Sequence, residues 1–181
     1  KEDNGYKAYG NDGAQMVAPH DTNTIDYVNK IKSVTEVKFE GNKDLIQIVG
    51  EDIDSQYIAE IKKLSLSPDV IAKHHDLKIV YTPIHGTGKY LIPRSLKNFG
   101  FTNIISVPEQ EVQSGDFPTV DSPNPENASA MAMAIAKAKE VDADIVMASD
   151  PDADRIGVVI KNTKGEYELV NGNQIVMIFL Y

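Results

Sequence analysis

The run ADIVMASDPDADRIGVVIKN, Ala143 to Asn162, sets two strand-like segments, ADIVMAS and IGVVIKN, on either side of an acidic loop. Asp150, Asp152 and Asp154 stand at every second position of that loop, and Arg155 follows at once. Carboxylates at i, i+2 and i+4 of an extended or turning segment can converge on one centre, and Pro151 narrows the conformations between the first two. Crowding three of them costs Coulomb repulsion unless a cation or protons compensate. Oxygen ligands of this kind select Mg²⁺, Mn²⁺ or Ca²⁺. A solvated acidic turn is the competing reading, and the position at a strand end favours a site. An EF-hand does not fit, because its sixth and twelfth positions are Arg155 and Lys161 instead of Gly and Glu, with strands in place of helices. An arginine behind the carboxylates makes sense if the cation's other partner is an anion that Arg155 can hold beside it.

Outward from this loop, strand and helix patterns alternate. LKIVYTP reads as a strand, GTGKYLIPRSLKNFG as loop and helix, and TNIISVP as a strand. ENASAMAMAIAKAKEVD reads as an Ala- and Met-rich helix, and GEYELV closes a hairpin with IGVVIKN. This order predicts an α/β fold: a doubly wound, mixed but largely parallel sheet with helices on both faces. Ligands in such sheets lie beyond the carboxyl ends of strands, where TPIHGTG (82–88) and SDPDADR (149–155) fall. GTGKY is neither a Walker loop, since Pro83 and Tyr90 occupy required positions, nor a dinucleotide fingerprint, since Leu91 replaces its third glycine. It is read as an ordinary tight turn or as one whose N–H groups face an anion.

Further toward the N-terminus, GYKAYGNDGAQMV suggests a hairpin, and PHDTNTIDYVNKIK a helix capped by Asp21 with Ile25, Val28 and Ile31 on one face. LIQIVG reads as a short buried strand, and the next segment as a helix with a stripe of Ile53, Tyr57, Ile61 and Leu64, closed at Ser67-Pro68. His74-His75-Asp76 reads as a solvated helix end. NGNQIVMIFLY reads as a helix start capped by Asn171 or Asn173.

The 181 residues suffice for one α/β domain and parts of neighbours. With 41% hydrophobic and 25% charged residues the composition is that of a globular protein. A net charge of −9 argues against a nucleic-acid surface, and no apolar run is long enough to span a bilayer. The absence of cysteine removes disulfides and thiol chemistry and suits a reducing, cytoplasmic setting. Only two arginines, Arg94 and Arg155, are available to grip phosphate, so other gripping residues would lie elsewhere. Both ends read as cut from a longer protein.

Together these motifs resemble the α-D-phosphohexomutase family, the phosphoglucomutase/phosphomannomutase enzymes. DPDADRIGV is similar to the family's metal-binding loop, and YTPIHGTG to the start of its second domain in the branch carrying His-Gly. NGYKAYGNDGAQ, FPTVDSPNPEN and LVNGNQI resemble further segments in the family's order, and the match covers essentially the whole chain. The resemblance implies a four-domain enzyme with a phosphoserine in a Thr-Ala-Ser-His-Asn-Pro loop and a sugar bisphosphate intermediate, glucose 1,6-bisphosphate serving as activator. It implies Mg²⁺ held by Asp150, Asp152, Asp154 and the serine phosphate, with Arg155 beside phosphoserine and substrate. It makes Lys7 a candidate general acid/base, a role open to a lysine only where a nearby cation or desolvation favours its neutral form. It also places His85 near the cleft as a candidate substrate contact, against the plainer reading of a core or turn histidine.

On this basis residues 1–34 are expected to close the first domain, 35–168 to form the complete second domain, and 169–181 to begin the third. The parent is expected to interconvert hexose 1-phosphate and hexose 6-phosphate of glucose or mannose, its partners being the sugar phosphate and the remaining domains, with no nucleic acid or membrane. The chain alone is expected to be inactive, lacking the serine loop and fourth domain. A phosphopentomutase of the same family, a non-catalytic divalent-cation-binding α/β module and a nucleotide-binding domain are the alternatives.

Overall fold

The computed structural model describes residues 7–180. It divides into two compact units, Lys1–Val49 and Gly50–Tyr181. In the first, an antiparallel bridge joins Tyr9 to Gln15 across a turn in which Gly13 adopts a φ of 76°. Helix α1 (His20–Val28) follows, then two 3-10 turns at Val34–Glu36 and Lys43–Leu45. The N-cap of α1 is Pro19, ahead of the expected Asp21, which lies in the first turn where its charge favours the helix dipole. LIQIVG is not a buried strand: Ile46 to Gly50 have no regular structure, and Ile48 is 87% exposed. Apolar character gives a segment strand propensity, but no other strand of the described residues supplies a ladder for this one.

The second unit opens with α2 (Glu51–Lys62) and the short α3 (Pro68–Lys73), with His74 to Asp76 exposed beyond it. There follow β1 (Ile79–Thr82), α4 (Gly88–Phe99), β2 (Ile104–Ser106) and α5 (Ala128–Val141). β3 (Ile145–Ser149), β4 (Ile156–Lys161), β5 (Tyr167–Val170) and α6 (Gly172–Phe179) complete it. The five strands form one sheet in the order β2-β1-β3-β4-β5. β2, β1 and β3 run parallel, and β4 and β5 add an antiparallel hairpin. α6 is capped by Asn171, whose side chain accepts from the Gln174 N–H while the Gln174 side chain accepts from the Asn171 N–H in a capping box.

Register gives the sheet two distinct faces. Ile105, Val80, Val146, Val159 and Leu169 are paired in one row across all five strands. This row packs with Ala130, Met131, Ala134 and Ala138 of α5, all fully buried, and the alanines let helix and sheet approach closely. The next row, with Tyr81 and Met147, lies on the opposite face, where Tyr81 meets Gly88 and α4. Helices therefore cover both faces, as expected of a doubly wound sheet.

α2 turns a different side inward from the expected stripe. Ile58 is its buried residue, whereas Ile53 and Tyr57 are about half exposed. Glu51, Asp54 and Ile58 share a helix face, and Arg94 of α4 donates to both carboxylates, at 2.9 Å to Asp54. The ion pairs lie on the same face as buried Ile58, which a hydrophobic count alone does not register.

Gly157 in β4 lies under Pro125, and a methyl group there would overlap the Pro125 carbonyl oxygen. Gly157→Ala is expected to lower stability by about 1–3 kcal/mol, the usual range for overpacking against backbone, measured by urea unfolding.

Candidate metal centre

Between β1 and β3 the sheet reaches its switch point. β1 leads through α4 outward to β2, while β3 leads away to β4, so the loops leaving their carboxyl ends separate and leave a crevice. The turn Pro83–Thr87 and the acidic loop Asp150–Arg155 both lie there, because Thr82 is paired with Ala148 at the adjacent strand ends.

Asp150 is buried, and Asp152 and Asp154 are exposed. One carboxylate oxygen from each lies within 4.8 Å of the others. The loop gains this shape from three local features. The Ala153 N–H closes a turn onto the Asp150 carbonyl at 3.0 Å, Ala153 takes a left-handed φ of 61°, and the Arg155 N–H donates to Asp150 Oδ1 at 3.0 Å. The Arg155 guanidinium approaches the same charges, its Nε 3.7 Å from Asp150 and 3.9 Å from Asp154. Burial raises the Asp150 carboxyl above the usual carboxylate range, Asp152 and Asp154 push the same way, and the Arg155 N–H opposes them. Three converging hard-oxygen donors with an excess of negative charge fit a divalent cation.

The acidic loop is clamped from behind by the other turn. The Thr87 N–H and hydroxyl both donate to the Pro151 carbonyl, at 2.8 and 3.1 Å. Gly86 lies so close that a methyl group on it would overlap the Pro151 backbone. The Gly86 N–H bonds Pro83 O, so these two N–H groups of GTG serve the chain itself. Beneath the loop, on the α4 face, a hollow of about 260 Å³ is lined by Tyr81, Ile92, Met147, Ser149, Asp154 and Arg155. Tyr81 and Ser149 hydrogen-bond at 2.8 Å in it, and burial pushes the Tyr81 hydroxyl up to about 12, partly offset by that bond.

The structure thus brings together Asp150, Asp152, Asp154 and Arg155. His85 is buried in the turn behind them, Nδ1 bonded to Val112 O at 2.7 Å and Nε2 to Thr119 Oγ1 at 2.8 Å. Lys7 belongs to the first unit and is exposed, just ahead of the Tyr9–Gln15 bridge. Asn4 to Tyr6 of the NGYKAYGNDGAQ segment lie outside the described residues. Sequence reasoning missed the Gly86–Thr87 clamp and Gln110, since what marks them is contact between segments distant in sequence.

Comparison with known proteins gives this geometry a context. The family model for phosphoglucomutase/phosphomannomutase, alpha/beta/alpha domain II, matches residues 55–165. Glucose 1,6-bisphosphate synthase of Mus musculus is 35% identical over 99% of the chain and 30% of its own length. Phosphoglucomutase of Staphylococcus haemolyticus is 36% identical over 97% of the chain and 32% of its length. Phosphopentomutase of Mus musculus is 32% identical over 97% and 29%. The chain therefore spans about a third of the length of these relatives. A solved Thermus thermophilus protein, provisionally described as a phosphomannomutase, shares the fold at a TM-score of 0.50 and 20% identity, over 65% of this chain and 25% of that one.

Gly86→Ala is expected to push the acidic loop off its seat and weaken binding of Mn²⁺ by about tenfold, as outer-shell changes do. Calorimetric titration of the 181-residue chain measures this; unchanged affinity would mean that the clamp does not shape the carboxylates.

Proposed function

Since the chain belongs to the phosphoglucomutase/phosphomannomutase family, we propose that it supplies the metal-binding domain of an enzyme interconverting hexose 1-phosphate and hexose 6-phosphate, of glucose or mannose. The observation that carries this reading is the convergence of Asp150, Asp152 and Asp154 at the end of β3 with Arg155 beside them. Asp150, Asp152 and Asp154 would hold Mg²⁺, which when bound supplies Lewis-acid polarisation of a phosphoryl oxygen. Arg155 would turn from its two carboxylates to hold phosphate oxygens, a geometry its planar fork suits. Lys7 is the proposed general acid/base. His85, with both ring nitrogens engaged within the chain, would serve substrate binding through the loop it holds in place.

The reaction would run through a phosphoserine and a sugar bisphosphate, with glucose 1,6-bisphosphate as activator. The sequence holds no Thr-Ala-Ser-His-Asn-Pro string, so the phosphoserine would come from a part of the enzyme outside these residues. In this reading 1–34 close a first domain, 35–168 form the second and 169–181 open a third. Arg94 is already paired with α2, which leaves Arg155 as the one arginine at the acidic loop. We therefore propose that the chain alone does not turn over sugar phosphate, and that the remaining phosphate grip comes from the other domains. No helix of the described residues is long and apolar enough to cross a membrane, and a cytoplasmic enzyme without nucleic-acid partners is the setting we propose. The phosphopentomutase relative supports a second reading, in which the same domain serves a pentose phosphate.

Two measurements test this. The purified chain is expected to bind Mg²⁺ and yet give no glucose 6-phosphate from glucose 1-phosphate in a coupled assay; turnover at enzymatic rates would sink the proposal. Asp152→Asn is expected to weaken Mg²⁺ binding at least about tenfold while leaving the metal-free protein as stable as before or more so, because it relieves like-charge crowding. Thermal melts with and without Mg²⁺ read both effects.

A further inference from the structure

We infer that Gln110 is a positioning residue for the acidic loop, acting through a one-directional hydrogen-bond chain that runs from His85, whose Nδ1–H the Val112 carbonyl fixes, through Thr119 and Gln110 to Thr82. Gln110 ends the short turn that follows β2, so all three parallel strands contribute their carboxyl ends to this arrangement. Gln110 and Thr82 are fully buried, and His85 nearly so.

The direction of the chain follows from one member that has no choice. The Val112 carbonyl can only accept, so His85 Nδ1, 2.7 Å away, carries a proton. The ring's other partner is a neutral hydroxyl, and in the neutral imidazole with its proton on Nδ1 the Nε2 atom is the acceptor. The Thr119 hydroxyl, 2.8 Å from Nε2, must then donate to it. With its proton spent, Thr119 Oγ1 accepts from Gln110 Nε2 at 3.2 Å. The Gln110 amide is thereby oriented with Oε1 toward Thr82, whose hydroxyl donates to it at 2.7 Å. Reversing the amide would leave Thr119 donating to Gln110 and Nε2 without a donor.

The chain braces a strained turn. Ile84 and His85 hold left-handed φ angles of 43° and 64°, uncommon for any side chain and costly for a β-branched one. The Thr82 hydroxyl accepts the Ile84 N–H at 3.2 Å, and the His85 N–H donates to the Gln110 carbonyl at 2.8 Å. Gly86 and Thr87, the next two residues, are the ones that seat Pro151. A shift in the Gln110 brace therefore reaches the acidic loop through two residues of rigid turn. The catalytic relevance of the brace rests on the function proposed above, whereas the brace itself does not.

The test uses the full 181-residue chain labelled with ¹⁵N, observing the His85 ring nitrogens and the Thr87 and Arg155 amides. Thr119→Val keeps the side-chain shape and removes the hydroxyl, Gln110→Met removes both amide bonds, and Thr119→Ser restores the link. Val159→Ala, in the row facing α5, controls for general destabilisation. We expect a single Nδ1–H tautomer in the unaltered chain. Thr119→Val and Gln110→Met should keep the Nδ1–H tautomer, since the Val112 carbonyl remains, and give faster exchange of both amides and about tenfold weaker Mn²⁺ binding. Thr119→Ser should match the unaltered chain, and Val159→Ala should lower the Tm without changing the tautomer or the amides. An Nε2–H tautomer in the unaltered chain, or equal loss of amide protection in Val159→Ala and Thr119→Val, would overturn the assignment. If tautomer and amides behave as expected but the unaltered chain binds no Mn²⁺, the positioning role stands and the proposed function falls.

Discussion

Everything at the carboxyl edge of this sheet depends on the seat of Pro151 against Gly86 and Thr87. Three carboxylates repel one another, and the loop that carries them has no regular secondary structure to hold it. What holds it is the Pro151 carbonyl, which accepts from both the N–H and the hydroxyl of Thr87, beside a glycine with no side chain to keep the segments apart. A carbonyl held by a backbone N–H of the neighbouring turn ties the end of β3 to the turn that leaves β1. The switch point of the sheet makes this possible, since only there do adjacent parallel strands send their loops in opposite directions.

The sequence was most legible where each local choice had one partner. The strands β1 to β5 and helices α4 and α5 follow from periodicity and turn residues. The acidic triad was legible because its spacing and its strand-end position agree. Legibility failed where a segment's state depends on what it packs against. Ile46 to Val49 have strand composition and no ladder, and α2 turns toward Arg94 the face that carries Glu51, Asp54 and buried Ile58. His85 shows the same limit at the site. Its type and neighbourhood suggested chemistry, but its two bonds are to residues 27 and 34 positions away, which no local pattern reveals.

The site also departs from local rules in a patterned way. Left-handed Ile84, His85 and Ala153 and the buried Asp150 each lower stability, and they cluster in two short loops at one strand end. Elsewhere in the second unit the core is conventional, a row of β-branched residues against alanines. Three of the five left-handed non-glycine residues among the described residues gather at this edge, and a fold whose other layer is well packed can hold a charged constellation open for a ligand without losing the fold.

Arg155 and the proposed divalent cation would have different physical characters, and the difference fits their proposed parts. Arg155 stands 3.7 and 3.9 Å from its carboxylates, longer than a bidentate pair and more than half exposed, so the exchange of those partners for an incoming anion costs little. A divalent cation among the carboxylates would also remove the charge that draws Arg155 inward, since both compete for the same oxygens. In the proposed reading metal and arginine would be coupled through Asp150 and Asp154, since a cation in the triad would compete with the guanidinium for their oxygens. A phosphate entering beside the cation would then meet an arginine already released from its partners.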